Sequence, residues 1–184
     1  MRRPTAADLA AARGRTIPDV IGPGLRVLFS GINPGLYSAA TGCHFARPGN
    51  RFWPALHLSG FTDRLLRPAE QAELPRYGLG ITNIVPRATA QAAELTEAEL
   101  RDGARHLLRL AETHRPSFLA VAGVTAYRVA FAQPKAVIGP QDDLLGPARL
   151  WILPNPSGLN ASWQLPRLAE AFRELKAAAD DNQP

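Results

Sequence analysis

One cysteine, Cys43, is present in 184 residues, so no intramolecular disulfide, cysteine-based zinc site or four-cysteine iron–sulfur cluster can form. No apolar run approaches the ~18 uncharged residues expected of a membrane-spanning helix. The opening MRRPTAADLAAARGR has no secretory apolar core either, because Asp8 and Arg13 interrupt it. These absences predict a soluble, cytoplasmic protein in a reducing compartment. Internal repeats and low-complexity segments are also missing, and the length fits one domain.

The usual chemical signatures are absent too. GINPGL (31–36) is neither a G-x-G-x-x-G nor a G-x-x-x-x-G-K-[ST] loop, and the GPG at 22–24 precedes its apolar run instead of following it. This argues against a nucleotide cofactor. His44, His57, His106 and His114 show no H-E-x-x-H or comparable spacing, so each reads as a surface or core residue and no metal site is predicted. Without a G-x-S-x-G, a hydrolase triad of that type has no anchor.

What is abundant is arginine: 21 Lys+Arg stand against 16 Asp+Glu, giving +5, and all the basic residues except Lys135 and Lys176 are arginine. Guanidinium grips phosphate in a bidentate fork, which favours an anionic partner. Charge alone leaves a second reading open, that of solvated arginine faces.

Four short apolar runs read as buried strands: LRVLFS (25–30), GITNIV (80–85), SFLAVAG (117–123) and RLWILP (149–154). Between them, TEAELRDGARHLLRLAETH (96–114) sets Leu100, Leu107, Leu108 and Ala111 near one face at helical period. Its TEAE start is a capping-box signature. Residues 124–132 and 162–181 read as further helices, and the Pro/Gly-punctuated stretch 133–148 as a connection with room for a short strand. Alternation of strand and helix predicts a single α/β domain, with a central, mostly parallel sheet of four to five strands and helices on both faces. Residues 1–17 are expected to be a flexible basic arm, 18–176 the domain and 177–184 a mobile tail. In such sheets ligands bind beyond the carboxyl ends of the strands; Asn33 and Asn155 fall just past such ends and Asn83 within its strand near the end, so all three are candidates for one crevice.

Two of these strand ends carry matching motifs, GINPG (31–35) and LPNPSGLN (153–160). Together with PGLRVLFSGINPGL, FARPGNRFWPALHLSGFTDRLL, GITNIV and WILPNPSGLN, taken in that order, they resemble the mismatch-specific uracil/thymine-DNA glycosylases, a branch of the uracil-DNA glycosylase superfamily. The resemblance runs from about residue 18 to 176. It implies a monofunctional enzyme of base excision repair that flips uracil, and thymine or modified pyrimidines, out of G:U or G:T mispairs in double-stranded DNA and hydrolyses the N-glycosidic bond. The implied enzyme is a monomer that needs no cofactor and no metal.

The resemblance assigns roles by position. Asn33 orients the attacking water, where strict uracil enzymes carry Asp. Gly35 leaves open the side beside C5 of the base that a Tyr fills in those enzymes. Phe45 is the stacking floor, and its backbone N–H and that of Ile32 meet the base carbonyls. Asn83 corresponds to the amide that reads the base edge, a role that remains open against a structural one. Asn155 borders the sugar or base, and Ser157 contacts a phosphate. Gly158, Leu159 and Asn160 form a wedge whose Leu fills the hole left by the flipped base. Ala161 and Ala93 depart from the pattern, since relatives often carry Arg at the first and a polar or acidic residue at the second. No Lys matches a nucleophile, so no strand-cleaving lyase activity is implied. A non-catalytic basic α/β module that binds nucleic acid is the alternative.

Overall fold

The computed structural model describes residues 2–182. Five strands form one sheet: β1 (Val27–Gly31), β2 (Leu79–Asn83), β3 (Phe118–Ala122), β4 (Gly139–Leu145) and β5 (Ala148–Leu153), in the order β2-β1-β3-β5-β4. All neighbours are parallel except β4, which runs antiparallel to β5 at the edge. Successive strand residues face opposite sides of a sheet. On one side Val27, Phe29, Phe118, Ala120, Trp151 and Leu153 pack with Phe52 and Leu56 of α3 (Phe52–Leu58) and Phe172 of α6 (Leu165–Asp181). On the other, Leu28, Leu119, Val121, Leu150 and Ile152 pack with Leu107 of α4 (Glu97–His114) and Tyr127 of α5 (Val124–Ala130). Burial on both faces explains why the parallel strands read as unbroken apolar runs. The single α/β domain expected from the sequence is the architecture found.

Strand β4 occupies the stretch read from the sequence as a connection with room for a short strand. It exposes Asp142, Asp143 and Leu144 at the sheet edge, and charge there discourages pairing with another chain. Helix α4 starts where the capping signature put it: Thr96 Oγ1 accepts from Glu99 N at 3.2 Å, and Glu99 Oε2 accepts from Thr96 N at 2.8 Å.

Two expectations need correction. Of the expected arm 1–17, residue 1 lies outside the described residues, and 2–17 are not free: α1 (Ala6–Ala11) is capped by a Thr5–Asp8 box, and Ala12 and Ile17 are buried against Ala39 and Ala88. Gly14 N donates to Ala88 O at 2.9 Å and Ala88 N to Arg15 O at 2.8 Å, so the segment is stitched to the loop after β2. Nor does the chain loosen at 177, since α6 continues to Asp181 with Ala179 buried. Residues 183 and 184 of the expected tail lie outside the described residues. Among the described residues, no helix is long and apolar enough to cross a membrane.

Candidate active site

The carboxyl ends of β1, β2, β3 and β5 surround a recess of ≈ 160 Å³ whose lining includes Ile32, Asn33, Gly35, Phe45, Asn83, Asn155 and Ser157. A space this small suits a single ring and not a dinucleotide. The other residues singled out from the sequence lie beside it. Gly158 and Leu159 border an adjoining groove with Arg47 and Gly49, and Asn160 lines a cavity with Trp163. Ala92, not Ala93, reaches the recess, and Ala161 is exposed.

Asn33 stands two residues beyond β1, half-buried. Its Nδ2 donates to Arg87 O at 3.0 Å and to Thr89 Oγ1 at 2.7 Å. The hydroxyl proton of Thr89 is itself given to Gln91 O at 2.8 Å, so Oγ1 can only accept from Asn33. Both N–H groups of the amide are therefore committed, and Oδ1 is the atom left to accept from a ligand or water. The loop that does this is itself anchored, because the Arg87 guanidinium pairs with both carboxylate oxygens of Glu99. That contact, with the Thr96 backbone N–H, holds the Glu99 carboxyl down to about 2.

The floor is aromatic. Phe45 stacks on Phe52 with ring centroids 4.1 Å apart and 16° between planes, and so rests on the core. Its backbone is left-handed, φ 52, a conformation that non-glycine residues rarely adopt and that is concentrated at functional sites. Gly31 is what lets the floor close on the strand end, since a Cβ there would lie 2.6 Å from Asn83 Oδ1 and 3.3 Å from Phe45 Cζ. Among the described residues, neither the backbone N–H of Ile32 nor that of Phe45 has an intramolecular acceptor.

Asn83 closes β2 and is buried, with Nδ2 3.3 Å from Nδ1 of His44. His44, assigned to surface or core from its spacing, is buried and also lines the recess. Burial pushes its imidazole pKa down, while the Pro18 carbonyl and the Asp19 charge act the other way.

The loop after β5 is built differently. Asn155 Oδ1 accepts from Ser157 N at 2.9 Å, and Asn160 Nδ2 donates to Asn155 O at 3.0 Å, so both amides serve the turn itself. Arg51, immediately before α3, clamps it: Nη1 donates to Ser157 O (3.3 Å), Asn160 O (2.9 Å) and Trp163 O (3.1 Å), Nη2 to Gly158 O (3.3 Å), and the backbone N to Pro156 O (2.9 Å). Gly158 passes so near the 47–50 turn that a Cβ would come within 2.6 Å of Gly49 O. Leu159, at the tip, is 76% exposed. Thr89, His44 and Arg51 are the site residues missed in the sequence. Only Arg51 carried a signal, as part of NRFW, and its clamping of a distant loop was not legible there.

The fold has a solved counterpart. A solution NMR structure from Methanosarcina acetivorans, described as a "putative Uracil DNA glycosylase", superposes with a TM-score of 0.59 at 19% identity, covering 89% of this chain and 98% of that one. At that identity the likeness establishes the fold. Family comes from the sequence itself, whose residues 18–177 match the Uracil DNA glycosylase superfamily. The match spans nearly the whole domain, including every strand around the recess, and the chain therefore belongs to the uracil DNA glycosylase superfamily, a family of DNA N-glycosylases acting in DNA repair.

Proposed function

We propose that the protein is a monofunctional, mismatch-specific glycosylase that acts as a monomer, flips uracil opposite guanine out of duplex DNA and hydrolyses its N-glycosidic bond. The observation that carries this reading is the Asn33 amide, whose N–H groups are both occupied by Arg87 and Thr89 so that, among the described residues, Oδ1 alone is free. A carbonyl oxygen fixed beside the recess can hold a water for attack on C1′ of the sugar. As the C1′–O bond forms, the C1′–N1 bond breaks, its electron pair leaves with the base, and the water's proton passes to bulk solvent. An amide cannot take that proton as a carboxylate would. General-base assistance is worth ~10²- to 10⁴-fold, so turnover is modest.

The remaining lining fits the same step. The Phe45 ring, backed by Phe52, offers a stacking platform, and the unpaired N–H groups of Ile32 and Phe45 can receive the charge gathering on the departing base. A Cβ at Gly35 would meet nothing within 4 Å, which leaves room for the methyl of thymine and for other C5 substituents. Neither Lys135 nor Lys176 lines the recess, in keeping with hydrolysis and against lyase chemistry. Leu159, exposed on a clamped loop, suits an apolar wedge between base steps.

The test is a single-turnover assay with enzyme in excess on G·U, G·T, A·U and single-stranded uracil substrates. Abasic product is expected fastest from G·U, then G·T, with A·U slower because a sound pair resists flipping. No abasic product from G·U would overturn the proposal and leave the non-catalytic binding module.

A further inference from the structure

His44 is only 2% exposed, and both of its ring nitrogens are engaged. Nε2 lies 3.0 Å from Pro18 O, and Nδ1 lies 3.3 Å from Asn83 Nδ2. A backbone carbonyl can only accept, so Nε2 must carry a proton; in the neutral ring Nδ1 is then a bare acceptor and takes an N–H from Asn83. Burial favours that neutral ring, against the Pro18 carbonyl and the charge of Asp19. The Asn83 amide is thereby fixed in one of its two orientations, with Nδ2 toward His44 and Oδ1 toward Gly31 and Phe45. It presents to the recess one acceptor, Oδ1, and one remaining N–H.

We infer that His44 is a specificity-determining positioning residue: by holding the Asn83 amide in this orientation it makes the site select 4-keto pyrimidines and reject cytosine. The inference rests on the proposed glycosylase function and on the role the family resemblance gives Asn83, that of the group meeting the base edge. Uracil and thymine offer N3–H and O4, a donor beside an acceptor, which complement Oδ1 and N–H. Cytosine offers a bare N3 and a C4 amino group, so acceptor would face acceptor and donor would face donor. An amide free to turn 180° about its Cβ–Cγ bond would satisfy either base and discriminate between neither. The consequence is severe for a glycosylase that works opposite guanine, because cytosine is guanine's ordinary partner.

Two substitutions separate the lock from mere packing. His44→Gln keeps a side-chain amide within reach of Pro18 but has no acceptor at the Nδ1 position, whereas His44→Asn places an amide oxygen near that position. On G·U duplex and on cytosine in a poorly paired A·C context, His44→Gln is expected to raise the cytosine-to-uracil rate ratio ~10-fold, the scale of one bidentate base contact. His44→Asn should restore most of the discrimination. In an Asn83→Ala background the His44→Gln change should add nothing, since the two residues act as one unit. Nitrogen-15 NMR of the histidine ring in the unmodified protein should show protonated Nε2 and bare Nδ1, a readout that does not depend on any variant folding. An unchanged cytosine-to-uracil ratio in a folded His44→Gln protein, additive losses in the double variant, or a protonated Nδ1 would each overturn the inference. Failure of the parent reading is distinguishable, for then Asn83→Ala alone would excise uracil at the unmodified rate.

Discussion

The loop after β1 and the loop after β5 meet at the same recess, yet they are held by different means. In the first, the side chain is what is tied down: Asn33 spends both N–H groups on Arg87 and Thr89 and keeps one atom free. In the second, the backbone is tied down, with four carbonyls from Ser157 to Trp163 converging on Arg51 while Leu159 stands in solvent. Chemistry at a single bond needs one atom placed to within a fraction of an ångström, which a side-chain network supplies. Wedging into a duplex needs a stiff loop with an uncommitted apolar tip. On the proposed function, the difference assigns to the first loop what happens to a base in the recess and to the second how a base gets there.

The largest effect expected from breaking this division is at Asn33. Asn33→Ala should lower single-turnover excision by ~10²- to 10³-fold on duplex and single strand alike, the scale of losing one preorganised catalytic group. Duplex binding, measured by anisotropy, should be nearly unchanged. A parallel loss of binding would mean that the loop after β1 also docks the DNA, and the division would fail.

Arg51 sharpens the other half. Arg51→Ala releases the carbonyls of residues 157–163 and is expected to slow excision from G·U duplex ~10-fold while leaving single-stranded uracil within ~2-fold. Arg51→Lys should recover little, because one ammonium cannot fork across carbonyls that a planar guanidinium spans. Equal loss on both substrates would place Arg51 with the chemistry. Leu159→Ala is milder and probes the tip alone: ~5-fold on duplex and none on single strand, where there is no hole to fill.

How much of this was legible in the sequence follows from the same contrast. Strand ends are local: both-face burial turns β1, β2, β3 and β5 into apolar runs whose ends can be counted, and counting alone puts Asn33, Asn83 and Asn155 in one crevice. The Thr96–Glu99 cap is equally local. The groups that aim those amides are not. Thr89 is 56 residues from Asn33, His44 is 39 from Asn83, and Arg51 reaches carbonyls 106 to 112 residues away, spacings that leave no periodic trace. Helices α1 (Ala6–Ala11) and α2 (Leu36–Thr41) escaped for another reason, since six residues give less than two turns and no hydrophobic period to detect.

The smallest expected effect concerns what anchors the first loop. Glu99 is held down to about 2 against an ordinary 4.5, chiefly by its hydrogen bond to the Arg87 side chain, whose residue also supplies the carbonyl that accepts from Asn33. A carboxyl whose pKa is depressed on folding contributes stability that is fully present above its unfolded value and is lost as pH falls through the folded one. Glu99 should therefore stabilise the protein above about pH 4.5 and cease to do so as pH approaches about 2. Glu70, also held to about 2 by its contacts with Arg67, titrates over the same range, so the wild-type acid limb alone does not isolate Glu99. Glu99→Gln does, because glutamine keeps the helix cap while removing the charge. The Tm gap between the two proteins should be small, widest above about pH 4.5 and closing toward pH 2. A gap that stays constant across that range would show that the carboxylate acts there only as a cap and that its charge does nothing for the loop that orients Asn33.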